Sequence, residues 1–490
     1  MTKFKTQKNK AFAFWGAAFV LFIAVFTGCP QTADGGNTNG AGKPEIKPKH
    51  IVSFSVDGAG GTLKAKADGV TETGTSPVTV EQDKIVTFTA APAAGYKLKE
   101  WKVDGTVISN TSNTYTHSVT TAVDVKVSFQ LLPPGKIELT LSPDKLTIKV
   151  AAITADSTHV TVEGCTETTF ASGGTYTELH ARGTTVTLKG NIIKLDFGDY
   201  NYNKLTALNA QDCAALQKLN CSRNTLTALN VQGCTALQEL DCCWNKLTSL
   251  NVQGLTALQK LDCGDNYRLT SLNVQGLSDL QVLYCGSNKL TELNVQGLSN
   301  LQALGCGSNK LTELNVQGLN DLRVLDFGSN QITAIDVQSF SNLRELYCHG
   351  NPLADFNIQS LSNLQKLSCG GLPLSTLNLQ GLSNLRELYC GVGQLTSLDV
   401  QGLSALQTLD CRDNQLTALN VQGCTSLQSL SCYNNQLAAL DIHDLNALKW
   451  LFCFANRLTA EAFTKIFTDL PQRDAVDAAR CFLCVESTGI

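Results

Sequence analysis

The chain has 490 residues, which is long enough for more than one domain, and a formal net charge of −4 at pH 7. The first 28 residues hold four lysines and no acidic residue, so the remainder carries −8. This balance argues against nucleic acid or an anionic membrane surface as the main partner. Only 16% of the residues are charged and one is Met, which fits a β-rich exported protein.

The N-terminus has the pattern of an export signal. A basic stretch precedes the apolar run 11–28, which ends in Phe26-Thr27-Gly28-Cys29. This ending resembles the lipobox of bacterial lipoproteins, although Phe26 and Thr27 replace the usual Leu and Ala or Ser. The resemblance implies a signal peptide over residues 1–28 and lipidation of Cys29. An ordinary signal peptide and a retained membrane helix are the alternatives.

Residues 29–49 are rich in Gly, Asn and Pro and lack apolar periodicity, which predicts a flexible tether. Between residues 50 and 132 the sequence alternates apolar and polar residues in short runs, which predicts half-buried strands. The phrase Gly95-Tyr96 … Trp101 … Asp104-Gly105 resembles the internalin B-repeat modules of bacterial surface proteins. That resemblance implies a spacer or adhesion module, in which we expect Tyr96 and Trp101 to be core residues.

Residues 133–190 are also β-like but have no fixed period, so we interpret them as the N-terminal cap of the array that follows. Residues 191–458 repeat one 21-residue unit, of which 290–310 is a clean copy. One column marks thirteen turns, with steps of 21 residues except 24 at the first step and 22 across 265–269. The column consists of Phe197, Cys221, Cys242, Cys263, Cys285, Cys306, Phe327, Cys348, Cys369, Cys390, Cys411, Cys432 and Cys453.

The pattern Leu-x-x-Leu-x-Cys-x-x-Asn-x-Leu is that of a leucine-rich repeat. Its 21-residue form resembles internalin-J-type and BspA-like bacterial proteins, and most closely the leucine-rich repeat lipoproteins of oral treponemes. The predicted fold is therefore a leucine-rich repeat solenoid, a right-handed β-rich horseshoe with one short parallel strand per repeat. A small all-β domain precedes it.

The cysteine column is apolar by pattern, and we interpret its eleven thiols, with Cys213, Cys234 and Cys424, as small core residues. Disulfides along the column conflict with the parallel direction of neighbouring side chains, and no His or carboxylate joins the column to complete a metal site. The Asn three residues after the column is expected to bind backbone groups of adjacent turns, except where Leu372 and Gly393 replace it. The Asn set is Asn224, Asn245, Asn266, Asn288, Asn309, Asn330, Asn351, Asn414, Asn435 and Asn456.

Specificity is expected on the concave face, at outward positions that vary from turn to turn. Tyrosines on a strand face are typical of protein-binding surfaces. The predicted binding residues are Trp244, Tyr284, Tyr347, Tyr389, Tyr433, Asp241, Asp262, Asp326 and Asp410. We expect Trp450, Phe452 and Phe454, on the last turn, to contact a C-terminal cap over residues 459–490. In that cap the spacing predicts a helix over 459–470 and a last strand within 476–485, and Cys481 and Cys484 have a structural or disulfide role.

The six histidines are scattered, and no nucleophile elbow, phosphate-binding loop or paired-carboxylate motif is present in the sequence. We therefore predict a protein that is not an enzyme and needs no cofactor or metal. The leading hypothesis is an adhesin-like lipoprotein of the bacterial envelope, exposed on the outer membrane. Its partner is a host matrix or cell-surface protein, or a surface protein of another bacterium. The alternative is a structural envelope lipoprotein without a specific ligand.

Overall fold

The computed structural model describes residues 47–198, 203–471 and 480–482, the last three as backbone only. The predicted signal peptide, Cys29 and the tether up to residue 46 lie outside the described residues, as do Cys484 and the side chain of Cys481. Within the described ranges, no helix combines the length and the apolar character needed to span a membrane.

The first domain is a pair of small sheets. Its strands are β1 Lys49–Val56, β2 Gly61–Ala67, β3 Val70–Thr73, β4 Val78–Glu81, β5 Ile85–Pro92, β6 Tyr96–Val103, β7 Thr106–Ile108, β8 Thr114–Ser118 and β9 Val123–Leu131. One sheet has the order β4-β1-β9-β6-β7 and the other β3-β2-β5-β8. Only β1 and β9 run parallel; the other pairs are antiparallel.

Alternating apolar residues of both sheets meet in one core, as the period of two predicts. Trp101 and Phe88 are fully buried, and the Trp101 indole donates a hydrogen bond to the Ser112 carbonyl (2.9 Å). Trp101 is therefore a core residue, as expected. Tyr96 is half-buried and packs against the edge of the same core.

The next strands cover the open end of the repeat array. They are β10 Gly135–Leu141, β11 Thr147–Thr154, β12 Val160–Glu163, β13 Thr169–Phe170, β14 Thr177–His180 and β15 Thr185–Gly190. Strand β11 pairs antiparallel with the first strand of the array, β16 Ile192–Asp196. Strand β10 pairs antiparallel with β17 Leu205–Asn209, on the other side of the same turn. Both edges of the first turn therefore have their backbone groups paired.

The repeats stack as thirteen parallel strands that begin with β16 and belong to one 16-stranded sheet. The others are β18 Lys218–Asn220, β20 Glu239–Asp241, β21 Lys260–Asp262, β22 Val282–Tyr284, β23 Ala303–Gly305, β24 Val324–Asp326, β25 Glu345–Tyr347, β26 Lys366–Ser368, β27 Glu387–Tyr389, β28 Thr408–Asp410, β29 Ser429–Ser431 and β30 Trp450–Phe452. The side of each turn opposite the strand is extended without regular pairing, except for β19 Ala228–Asn230, which pairs with β17, and an isolated parallel bridge between Asp399 and Asn420. The predicted solenoid is confirmed.

The interior of the solenoid consists of leucine columns and the cysteine column. Every cysteine of the column is at most 4% exposed, and Cys213, Cys234 and Cys424 are buried as well. The thiols of Cys234 and Cys424 donate to the carbonyls of Ala210 and Val400 (both 3.1 Å). Their predicted position as packing residues of the core is confirmed.

The Asn column forms the predicted ladder. In each regular turn the Asn amide nitrogen donates to the carbonyl of the cysteine column in its own turn and in the preceding turn, as Asn309 does to Cys306 (2.9 Å) and Cys285 (3.1 Å). Its Oδ1 accepts the N–H of the preceding turn's Leu290 (3.0 Å). These bonds pair backbone groups that the bend after the strand would otherwise bury alone.

The ladder lacks its Asn at Leu372 and Gly393, which makes these two turns irregular. The strands stay in register there, with Tyr347, Ser368 and Tyr389 paired in succession. A void of about 10 Å³ lies beside Leu372 and Gly393. The irregularity is therefore confined to the turns after the strands.

The C-terminal part begins with α1 Ala460–Asp469, close to the predicted helix. Thr459 caps the helix, because its hydroxyl accepts the Ala462 N–H (3.1 Å). A last strand, β31 Arg480–Phe482, pairs parallel with β30 and extends the sheet by one strand. The backbone edge of β30 is thus paired with C-terminal residues, and the contact of the Trp450 and Phe452 side chains with the cap stays a prediction.

Candidate functional site

Each short strand of the solenoid presents a fixed set of side chains to the outside. Leucine and cysteine point inward, so the residue before the leucine, the one between them and the one after the cysteine point outward. We call the outward residues of β18 and of β20 to β30 the strand face. Its middle column is Asn220, Asp241, Asp262, Tyr284, Gly305, Asp326, Tyr347, Ser368, Tyr389, Asp410, Ser431 and Phe452.

The four aspartates of this column are half-buried and bind the backbone of their own turns. In Asp241, Asp262, Asp326 and Asp410 one carboxylate oxygen accepts the N–H two residues ahead at 3.0–3.2 Å. Burial raises the pKa of Asp262 to about 6, with Asp241 as a lesser cause, and burial also raises the pKa of Asp326 and Asp410. Each aspartate thus stabilises the turn after the strand, and the second oxygen of Asp410 pairs with the Arg412 guanidinium (3.4 Å).

Tyr347 and Tyr389 lie on either side of a lysine. The Lys366 ammonium stands 5.6 Å from the Tyr347 ring centre and 5.5 Å from that of Tyr389, and it forms an ion pair with Glu387 (2.8 Å). Each tyrosine hydroxyl donates to the glutamate of its own strand, Tyr347 to Glu345 (2.7 Å) and Tyr389 to Glu387 (3.1 Å). Burial and the Glu345 carboxylate raise the pKa of Tyr347 to about 12. The two rings are therefore held in place before any partner arrives.

Tyr284 lies further along the same column and is 37% exposed. Its ring covers the next turn, where a Cβ on Gly305 would stand 2.7 Å from the Tyr284 Cδ1. Val282, Ala303 and Val324 occupy the neighbouring column, so this part of the strand face is apolar. Any residue larger than Gly305 would displace the tyrosine ring.

Tyr433 stacks on the last turn. Its ring lies 4.4 Å from that of Phe454 at an angle of 9°, and the Arg412 guanidinium donates to its hydroxyl (3.0 Å). The prediction for Phe454 was contact with the C-terminal cap. The structure places its ring against Tyr433, on the strand face.

Trp244 was predicted on the concave face, and that placement is wrong. It lies in the turn after β20 with φ of 55°, a left-handed conformation that the equivalent residue Arg223 also adopts. Its ring is 47% exposed, contacts Tyr267 edge to face (6.4 Å) and lies 5.6 Å from the Arg223 guanidinium carbon. Trp244 and Tyr267 therefore form an aromatic pair on the rim of the solenoid.

Tyr267 is the extra residue of the 22-residue step and leaves the next ladder position incomplete. In regular turns the Asn Oδ1 accepts a leucine N–H of the preceding turn, whereas the buried Asn288 Oδ1 has no such partner. Without Tyr267 the local sequence becomes Asn-Arg-Leu, which matches the Asn-Lys-Leu of neighbouring turns.

Deletion of Tyr267 is therefore expected to pair Asn288 with the Leu269 N–H and to raise the free energy of unfolding by about 1–3 kcal/mol. Urea unfolding monitored by circular dichroism measures the change. Tyr267→Asn, which keeps the extra residue and tolerates its left-handed conformation (φ of 57°), serves as the control and should not stabilise through Asn288. Equal stability of the deletion variant and the wild-type chain would show that the unpaired Asn288 oxygen has no energetic cost.

Two further features lie near the first turns. A cavity of about 340 Å³ is bounded by β11 and by the first strands, with Lys194, Lys218 and Lys260 among its lining residues. Beside it, the potential ligand atoms of Asp241, Cys243 and Asp262 lie within 4.8 Å of one another. These three residues, in the described part of the chain, could hold a metal ion. Burial raises the pKa of the Cys243 thiol, and the Asp241 carboxylate that it faces raises it further.

The structure thus brings Tyr347 and Tyr389 together and places Tyr284 and Tyr433 on the same face at a distance. The sequence-based prediction did not include Lys366, Glu345 and Glu387, because they lie one residue before the leucine and not between leucine and cysteine. Their signal was present in the sequence as the alternation Glu-Lys-Glu at one position of three consecutive turns.

A protein-family comparison identifies the first domain. The model of the divergent InlB B-repeat domain matches residues 61–132. This part of the chain is a divergent InlB B-repeat domain. Strand β1 precedes the matched residues but pairs with β9 in the same sheet, so the B-repeat domain of this chain includes it.

Solved structures give the corresponding result for the repeats. The functional domain of InlJ from Listeria monocytogenes, described as including a cysteine ladder, is 33% identical with a TM-score of 0.52. The match covers 54% of this chain and 59% of the InlJ domain. The chain therefore spans less than two thirds of that domain's length. The leucine-rich repeat solenoid and its likeness to internalins are confirmed.

Two other bacterial structures are similar at a lower level. A leucine-rich repeat protein of Leptospira interrogans is 25% identical, with a TM-score of 0.45 over 56% of this chain and 85% of that one. The leucine-rich effector YopM from Yersinia pestis is 24% identical, with a TM-score of 0.49 over 58% of this chain and 76% of that one. Comparison with curated proteins finds no match.

Proposed function

We propose that this chain is a non-catalytic bacterial surface protein that binds another protein through the strand face of its leucine-rich repeats. The single observation that carries the proposal is the pair Tyr347 and Tyr389, held on either side of Lys366 by hydrogen bonds to Glu345 and Glu387. Rings that are ordered before binding lose little conformational entropy on contact, and tyrosine is enriched among residues that dominate binding energy.

The geometry of the strand face extends the contact beyond this pair. At about 4.8 Å per strand, Tyr284 lies roughly 14 Å from Tyr347, and Tyr389 roughly 10 Å beyond it. The Asp326 carboxylate lies on the turn before Tyr347, and the Asp410 carboxylate, which also pairs with the Arg412 guanidinium (3.4 Å), lies on the turn after Tyr389. Apolar rings between carboxylates suit a protein surface with an apolar centre and basic groups around it.

The proposed location is the bacterial envelope. A lipid on Cys29 anchors the chain in the outer membrane, the tether of residues 29–49 and the B-repeat domain hold the solenoid away from it, and the solenoid is exposed to the outside. The partner is a host matrix or cell-surface protein, or a surface protein of another bacterium. The basis for this placement is the lipobox-like sequence and the likeness to internalins.

Binding is tested with Tyr284→Ala/Tyr347→Ala/Tyr389→Ala in surface plasmon resonance against purified host matrix, host-cell and bacterial surface proteins. We expect the wild-type chain to bind at least one of them and the triple variant to bind it at least tenfold more weakly, since such residues contribute about 2 kcal/mol each. The control is Tyr176→Ala/Tyr267→Ala/Phe467→Ala, which removes three exposed rings away from the strand face. Equal affinity of the triple variant and the wild-type chain contradicts the choice of face.

Location is tested by protease treatment of intact cells that produce the wild-type chain or Cys29→Ala. We expect the wild-type solenoid to be cleaved at the cell surface and the Cys29→Ala chain to leave the membrane fraction. Complete protection of the wild-type chain, together with no binding to any protein of the panel, would support the ligand-free structural role instead.

A further inference from the structure

The side of the solenoid opposite the strand face carries a long groove. It runs over six turns, has a volume of about 1340 Å³, and is lined by the outward residues of the repeated Thr-x-Leu-Asn-Val-Gln segments from Ser249 to Asn357. We call it the back groove. It shares no lining residue with the strand face, so a ligand there would leave the tyrosines free.

The floor and walls of the back groove are ordered. The floor contains Leu250, Leu272, Leu293 and Leu314, which are 5–8% exposed. In the walls, the Asn side chain, or Asp336 in its place, accepts the Gln N–H two residues ahead, and in the first three turns the Gln amide donates to the Asn carbonyl of the next turn. Gln296 illustrates both bonds, to Asn294 (3.1 Å) and to Asn315 (3.0 Å). The almost constant Asn-Val-Gln phrase is therefore structural.

The groove is negatively charged, because acidic residues occupy the x position of Thr-x-Leu in some turns and the Asn position in another. Glu292, Glu313, Asp336 and Asp355 provide one exposed carboxylate on each of four consecutive turns. The groove lining contains no lysine, arginine or histidine, and none of the four forms an ion pair with another described residue. The charge of the groove is thus about −4 and is not neutralised by the described chain.

The Gln ladder also ends inside this acidic stretch. Gln275 and Gln296 each donate to the following turn, but the side-chain amides of Gln317 and Gln338 form no hydrogen bond to other described residues. These two amides stand beside Glu313, Asp336 and Asp355 in the lining. The same stretch therefore offers carboxylates and unpaired amide groups together.

From the shape, the charge and the free amides, we propose that the back groove binds an extended polypeptide segment with Lys or Arg at alternating positions. Five spacings of about 4.8 Å give a groove of roughly 24 Å, which accommodates about seven residues of extended chain. Side chains on one face of such a chain recur about every 6.6–6.8 Å, whereas neighbouring turns of the solenoid are about 4.8 Å apart. Lys and Arg side chains are long enough to bridge this difference and reach the carboxylates. A row of like charge along a groove raises the local concentration of the opposite charge.

The test uses the full-length chain in detergent and a fluorescein-labelled heptapeptide, Lys-Thr-Lys-Thr-Lys-Thr-Lys, in fluorescence anisotropy. The variant Glu292→Gln/Glu313→Gln/Asp336→Asn/Asp355→Asn removes the groove charge. The matched control is Asp279→Asn/Asp321→Asn/Asp444→Asn/Glu461→Gln, which removes four exposed carboxylates elsewhere and leaves the same net charge. Circular dichroism verifies that both variants are folded.

We expect the basic peptide to bind the wild-type chain and the control variant equally, and the groove variant at least tenfold more weakly. A Glu-Thr heptapeptide should not bind, and the Tyr284/Tyr347/Tyr389 triple variant should bind the basic peptide like the wild type. The proposal is overturned if the basic peptide does not bind the wild-type chain, or if the control variant loses as much affinity as the groove variant. Neither result bears on the strand face.

Discussion

Raising the pH from 8 to about 10 in a reducing buffer is expected to unfold the repeats. Burial holds the pKa of the column thiols far above the ordinary value, to about 12 for Cys369 and higher for most others. Unfolded thiols ionise near pH 8.5, so above that pH the unfolded state loses protons that the folded state keeps, and each buried thiol lowers the free energy of unfolding by about 1.4 kcal/mol per pH unit. For eleven thiols this is roughly 15 kcal/mol per unit, as much as the whole stability of a typical domain.

The stability from these thiols is therefore fully present below pH 8 and disappears as the pH rises above the unfolded pKa. Urea unfolding by circular dichroism at several pH values between 7.5 and 9.5 measures the slope. Cys263→Ala/Cys285→Ala/Cys306→Ala should be less stable at pH 7.5 but lose about 4 kcal/mol less per pH unit. The same slope in both chains would mean that thiol ionisation does not drive alkaline unfolding. The B-repeat domain, which has no cysteine, should unfold without this dependence.

Asn309→Ala is expected to lower the free energy of unfolding by about 3–5 kcal/mol. The Leu290 N–H loses its acceptor and stays buried and unpaired, which costs about 1–3 kcal/mol. The carbonyls of Cys285 and Cys306 each lose one of two donors, because Asn288 and Asn330 still bind them, at about 1 kcal/mol per bond.

The matched control is Asn300→Ala. Asn300 is exposed and makes one hydrogen bond, from its amide to the Ser278 carbonyl (3.0 Å), so its loss should cost less than about 1 kcal/mol. Urea midpoints of the two variants are compared at pH 7. If both variants unfold at the same urea concentration, the buried ladder contributes no more than a surface hydrogen bond.

Much of the fold follows from the sequence because each turn packs only on its neighbours. A column such as Cys306 must then face inward in every copy, and Asn309 must serve the same backbone groups as Asn330. The B-repeat strands follow from the alternation around Trp101, since only one face of each sheet is buried. In the repeats, each column occurs in many copies, so the same inward or outward assignment is supported many times.

The candidate site was less predictable, because outward side chains are not constrained by the repeat. The column between leucine and cysteine contains Tyr347 and Tyr389 but not Lys366. The contact of Lys366 with both rings depends on the register of three adjacent strands. Trp244 follows β20 closely enough to be taken for a strand residue, yet the backbone turns there with φ of 55°. The aspartates also have a role that composition does not show, since Asp326 binds its own turn as well as facing outward.

The interrupted ladder also has a mechanical consequence. In the function proposed above, the chain is anchored at one end and holds a partner, so tension would pass along the solenoid through every turn in series. Each regular turn is joined to its neighbours by strand pairing, by backbone hydrogen bonds in the turn after the strand and by its Asn. The turns at Leu372 and Gly393 keep the strand pairing and backbone bonds, such as that from the Gly371 N–H to the Gly391 carbonyl (3.2 Å), but lack their own Asn. Under load the repeats should separate first at this point, with β18 to β25 on one side and β27 to β30 on the other.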